Sequence, residues 1–96
     1  MRDRVLVSVN EIMIHHQLDD TFINQVENYQ LVSFVIKNSQ KFIIADEMPR
    51  MEKIIRLHYD LDINMEGIEV IKNMLDRMEA LQDEVRKLQN RLNIYE

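Results

Sequence analysis

Residues Met65 to Tyr95 read MEGIEVIKNMLDRMEALQDEVRKLQNRLNIY, a run without proline and with the chain's one glycine near its start. Within it Met74, Met78, Leu81, Val85, Leu88, Leu92 and Tyr95 recur at alternating steps of four and three. That spacing keeps a narrow apolar seam on one side of a helix, with Met78, Val85 and Leu92 at heptad position a and the others at d. A helix over this run is roughly 45 Å long at ~1.5 Å per residue. The remaining chain is too short to cover it throughout. The seam therefore predicts a dimerisation helix that pairs in a coiled-coil homodimer. A long core helix of a monomer is the competing reading, and it does not explain a seam that continues to Leu92 and Tyr95. Arg77, Glu84 and Arg91 flank the seam at g, and Gln82, Gln89 and Glu96 at e. Those flanks by themselves leave parallel and antiparallel pairing open. Asp83 and Lys87 form an i,i+4 ion-pair candidate on the same helix.

With 96 residues the chain makes one small domain, and a third of it is spent on this rod. Oligomerisation supplies the burial that such a chain lacks. There is no cysteine, which excludes a disulfide framework and a thiolate zinc site. The start, MRDRVLVSVN, has too short an apolar run for a signal peptide, and no segment is long enough to span a bilayer. The expectation is a cytoplasmic protein without membrane contact.

Net charge is -5, from 17 acidic against 12 basic residues, and its distribution is more telling than its sum. No Lys or Arg occurs from Val5 to Ile36, while Glu11, Asp19, Asp20 and Glu27 fall inside that stretch. Phosphate binding draws its affinity from cations that displace counterions. Such a stretch is a poor nucleic-acid surface and a fitting surface for a basic protein partner.

Upstream of the rod, Val5 to Val7 is a short apolar strand or an extended lead-in. Ser8-Val9-Asn10-Glu11 has the spacing of a capping box, opening a first helix that ends near His16. Asp19 or Asp20 caps a second helix through about Tyr29, with Phe22, Ile23, Val26 and Tyr29 inward. Two short helices so closely joined make a helix-turn-helix. Leu31–Ile36 and Phe42–Ile44 are β-branched and aromatic around the polar turn Lys37–Lys41, which reads as a β-hairpin wing. Asp46 starts a third helix with Pro49 in its first turn and Met51, Ile54, Ile55 and Leu57 on its apolar side. Asn64 caps the long helix. The fold class is mainly α: a winged helix-turn-helix domain over residues 1–63, then a dimerisation helix over residues 64–96.

This order, with LDINMEGIEVI at Leu61 to Ile71, resembles the MerR family of winged helix-turn-helix proteins. Val9–Ile12 matches that family's first helix, Phe22–Val32 its recognition helix, and Gln40–Met51 its wing end and third helix. The resemblance implies antiparallel pairing of the rods. Two departures bear on function. DNA-binding members carry an arginine in a Thr-Leu-Arg-Tyr-Tyr-like run on the recognition helix, where this chain has Thr21-Phe22-Ile23-Asn24-Gln25. Their wings offer a Tyr-Arg pair, where this chain has Lys41-Phe42-Ile43. Within the superfamily the sequence is similar to the CbpM family of chaperone modulatory proteins. The likeness lies in His15–Ile23 (HHQLDDTFI), Arg56–Asn64 (RLHYDLDIN) and Arg91–Glu96 (RLNIYE). That resemblance implies a small dimer that docks on a J-domain co-chaperone of the CbpA/DnaJ type and inhibits it. The alternative is a DNA-binding transcriptional regulator drawing its cations from Arg2, Arg4, Lys37 and Lys41.

Asp19, Asp20, Gln25, Glu27 and Asn28 are the outward candidates of the second helix, an acidic docking face for a basic J-domain helix. The plain alternative makes them caps and solvated positions. His15-His16 with Asp19-Asp20 has ligand residue types, but adjacent helical histidines diverge by ~100°, so no metal site is expected. His58 is expected to be half-buried and hydrogen-bonded beside the first helix. Met48, Met51, Met65, Met74 and Met78 read as core packing rather than an adaptable binding surface. The three serines, at a cap, a strand and a turn, form no nucleophile–base pair, and no glycine-rich phosphate loop exists. No enzyme activity and no cofactor are expected.

Overall fold

The computed structural model describes residues 5–95. Arg2, Arg4, Glu96 and the side chain of Tyr95 lie outside the described residues. The elements are β1 (Leu6–Ser8), α1 (Val9–His16), α2 (Asp20–Asn28), β2 (Phe34–Lys37), β3 (Gln40–Ile44), a 3-10 turn (Ala45–Glu47), α3 (Met48–Tyr59) and α4 (Met65–Tyr95). The expected wing is present, but it is a three-stranded antiparallel sheet in the order β1-β3-β2 rather than a two-stranded hairpin. β1 reaches across the chain to pair Leu6 with Ile44 and Ser8 with Phe42. A three-residue strand has no periodicity of its own to read, and its identity rests on that distant partner.

Lys37 pairs with Gln40 around a two-residue turn in which Asn38 (φ 51°) and Ser39 (φ 63°) are both left-handed. This is the turn whose twist matches the flanking strands. Leu31 and Val32, read above as strand, instead follow the α2 terminus in a bend and are buried. Gln30 is left-handed at φ 55°, its N–H donates to Glu27 O, and the Leu31 N–H donates to Val26 O at 3.1 Å. The helix thus ends in a Schellman motif with Leu31 packed back over Val26.

The same device closes α1, where Gln17 (φ 56°) precedes buried Leu18, whose N–H reaches Met13 O at 2.9 Å. α3 ends differently, with Asp60 as its C-cap and the Leu61 N–H on Arg56 O at 3.1 Å, and left-handed Asp62 (φ 59°) follows in the connection to α4. Glycine is the usual occupant of such a position, and an L-residue pays a steric penalty there. Gln17→Gly is therefore expected to raise stability by up to ~1 kcal/mol, read as a higher thermal midpoint. An unchanged or lower midpoint counts against the strain.

Other termini differ in detail from the sequence expectation. Ser8 precedes α1, but as the last residue of β1 its hydroxyl makes no cap bond, so the capping box does not form. Asp19, not Asp20, caps α2. Asp46 falls in the 3-10 turn, and α3 starts at Met48 with Pro49 in its first turn. Asn64 Oδ1 accepts the Gly67 N–H at 2.9 Å at the start of α4. A β-carbon on Gly67 would lie 2.8 Å from Ile63 Cγ2, which accounts for the glycine at this close approach.

The core gathers Val9 and Ile12 from α1, Phe22, Ile23 and Val26 from α2, Ile43 from β3, Met51, Ile54 and Ile55 from α3, and Met65 and Ile68 from α4. Met51 and Met65 are buried and Met48 is half-buried, whereas Met74 and Met78 stand exposed on the rod, against the expectation of core packing. Arg50 bonds Asp76 at 2.8 Å, and Lys72 bonds it at 3.0 Å, so α3 is tied to α4 beyond the core. The Lys72 hydrogen bond, followed by that from Arg50, holds the Asp76 carboxyl below its ordinary range against the opposing effect of burial. The contribution is present at neutral pH and is lost as pH falls through the lowered value. Asp83 is bonded by Arg86 at 3.1 Å rather than by Lys87.

Candidate functional site

α1 and α2 are joined through Gln17–Asp19 as a helix-turn-helix. The turn ends where the Asp19 carboxylate accepts the Phe22 N–H at 2.8 Å. Phe22, Ile23 and Val26 fix the inner face of α2. At ~100° per residue, the opposite face is Asp20, Thr21, Asn24 and Asn28. All four are exposed.

The five residues singled out from the sequence do not share one face. Asp20 and Asn28 lie on the outward stripe. Asp19 sits at its N-terminal end, exposed, with one carboxylate oxygen committed to the cap. Gln25 and Glu27 are half-buried on opposite flanks of the helix, and Glu27 forms an ion pair with Lys41 of β3. That pair ties α2 to the wing and neutralises one of the two wing lysines, the other being Lys37. Thr21 and Asn24, absent from the five, join the stripe through their angle around the helix, which residue type alone does not give.

Around this helix, Tyr29 Oη donates to Glu66 Oε1 at 3.1 Å, and that bond chiefly raises the Tyr29 pKa. The Phe22 ring stacks on His58 and Tyr59, with centroids 5.1 and 5.2 Å away. His58 is half-buried, and its Nδ1 lies 3.1 Å from Ile63 O, but its neighbour is α2 rather than the first helix. Burial first, and the charge of Asp19 second, raise the Tyr59 pKa. His15 and His16 meet edge to face at 4.8 Å. Among the described residues no group of three His, Cys, Asp or Glu is placed to hold a metal.

The rod presents a second surface. Met74, Met78, Leu81, Val85, Leu88 and Leu92 are between 52% and 62% exposed in the single chain. Their alignment along one side of α4 makes a continuous apolar stripe, well beyond the scattered apolar residues of an ordinary surface.

A family model described as "MerR HTH family regulatory protein" matches residues 7–90, from β1 through most of α4. The chain belongs to the MerR helix-turn-helix family. No curated protein and no solved structure matches it. In this MerR-family chain α2 occupies the recognition-helix position, and its outward stripe holds one carboxylate and three neutral side chains without a cation. Among the described residues, no helix is long and apolar enough to cross a membrane.

Proposed function

We propose that this MerR-family chain is a dimeric, non-enzymatic modulator of a J-domain co-chaperone, which it inhibits by occupying a basic surface of that domain. One observation carries the reading: the exposed face of α2, where a DNA-reading member needs cations, is made of Asp20, Thr21, Asn24 and Asn28. The likeness of residues 15–23, 56–64 and 91–96 to the CbpM family supports the choice of partner. Asp19 and Asp20 at one end of α2 supply the charge sign that suits a basic helix, and neutral Thr21, Asn24 and Asn28 supply hydrogen-bonding groups. The exposed stripe of α4 supports the homodimer.

The test is binding of a CbpA/DnaJ-type J-domain to the full chain, followed calorimetrically at low and physiological salt. Asp20→Lys is expected to weaken binding about tenfold. Added salt is expected to weaken the wild type as well. No binding at low salt overturns the proposal. Tight, sequence-selective binding to duplex DNA at physiological salt would instead establish the transcriptional regulator, for which the family match is the supporting observation.

A further inference from the structure

We propose that Tyr59 and Leu61, where α3 passes into α4, are the apolar anchors on which a basic amphipathic helix of the partner seats. The inference rests on the J-domain reading above and extends its docking surface from α2 to the neighbouring α3–α4 connection. Tyr59 is 46% exposed and Leu61 64% exposed, and neither belongs to the core. Tyr59 closes α3 on the side where that helix meets α2, its ring 5.2 Å from the Phe22 ring. Leu61 follows two residues later.

Both side chains are held ready. The Tyr59 ring rests against Phe22 and meets the His58 ring edge to face at 4.9 Å. Its position is thus fixed before a partner arrives, and little rotamer freedom is left to lose on binding. The backbone that carries Leu61 is pinned on both sides. Its own N–H donates to Arg56 O at 3.1 Å, and the Ile63 N–H donates to Leu57 O at 3.0 Å. Asp62, between Leu61 and Ile63, is left-handed. Ile63 turns in to pack against the core, and Leu61 remains outside. A tyrosine with a fixed, half-exposed ring is a residue type that concentrates binding energy at protein interfaces.

The surrounding charges select the occupant. Asp60 and Asp62 flank Leu61, and both are exposed. Asp19 lies close enough to Tyr59 for its charge to act on the phenol, and Asp20 follows it at the start of α2. Among the described residues none of these four carboxylates takes part in an ion pair. Within residues 56–62 the one Lys or Arg is Arg56, exposed a turn earlier on α3. Such a rim repels nucleic acid, and a second copy of this chain would set the same acids against each other. A helix with Lys or Arg on either side of an apolar residue suits both the anchors and the rim.

The experiment follows binding of a CbpA/DnaJ-type J-domain to the full chain by surface plasmon resonance. Leu61→Ser is expected to raise Kd about tenfold, mainly through a faster off-rate, with the salt dependence kept. Tyr59→Ala is expected to raise it about thirtyfold. A thermal melt checks the fold of Tyr59→Ala, since that ring also touches Phe22. Leu61 does not pack on the core, so Leu61→Ser decides alone if Tyr59→Ala is unfolded. Asp60→Asn/Asp62→Asn is expected to slow association about threefold and to flatten the salt dependence. Asparagine also tolerates the left-handed backbone at position 62. A folded Tyr59→Ala or a Leu61→Ser chain that binds within about twofold of wild type overturns the anchors and leaves docking on α2 standing. An undiminished salt dependence in Asp60→Asn/Asp62→Asn overturns the basic character of the seated helix. A Leu61→Ser chain that loses self-association in sedimentation assigns the patch to a second copy and likewise overturns the proposal. A wild-type chain that binds no J-domain at low salt overturns the J-domain reading and the anchors with it.

Discussion

Phe22→Ala is expected to lower folding stability by about 3–5 kcal/mol. The ring is 2% exposed and packs between the α2 backbone and the His58 and Tyr59 rings at the end of α3. Deleting it loses the transfer energy of an aromatic side chain and leaves a cavity where α2, α3 and Leu18 converge. Domains of this size commonly hold only ~5–15 kcal/mol in total, so the variant would retain little cooperative unfolding. Chemical denaturation followed by circular dichroism checks it. A loss below ~1 kcal/mol would show that the ring does not hold α2 against α3.

Leu81→Lys combined with Leu88→Lys is expected to yield a monomer at any practical concentration. Burying a leucine side chain contributes ~1.5–3 kcal/mol, and the double change removes two from each copy. It also introduces ammonium groups that would have to be desolvated against apolar neighbours. The dimer Kd should rise by more than roughly a thousandfold. Sedimentation equilibrium reads it directly, with circular dichroism to verify that the head remains folded. A dimer that survives both changes refutes the seam. The changes leave Asp20, Thr21, Asn24 and Asn28 untouched, so a J-domain that still binds the monomer, with reduced avidity, would separate docking from dimerisation.

The long helix, the helix-turn-helix and the wing were legible because each carries a local period or turn signal. The heptads of α4, the step pattern of Phe22, Ile23 and Val26, and the polar turn at Asn38-Ser39 needed no distant information. Other features depended on what the chain meets in space. β1 is strand only because Ile44 lies across from Leu6, and Ser8 is drawn into that ladder rather than into a cap. Leu31 and Val32 look like a strand in composition, yet the left-handed Gln30 turns them into the core. Helix ends at Gln17 and Gln30 were hard to place because glycine, the usual marker, is absent from both. The candidate docking residues Asp19, Asp20, Gln25, Glu27 and Asn28 are the polar positions expected to face outward on α2. Only the packed inner face of α2 shows that Glu27 turns toward Lys41 while Thr21 and Asn24 join Asp20 outside.

Met65 and Ile68 sit in the core of the head, and the helix that begins with them runs on without interruption to Tyr95. Head and rod therefore share one rigid axle. Whatever fixes the rotation of α4 also fixes the bearing of α2, with no joint to absorb an error of phase. A single residue inserted between Ile68 and Met74 would keep the spacing within the stripe, yet swing it by ~100° against the head, carry Asp76 away from Arg50 and lengthen the axle by ~1.5 Å. The spacing from Ile68 to Met74 thus works as an angular gauge, and its length in residues decides which way α2 faces relative to the apolar stripe.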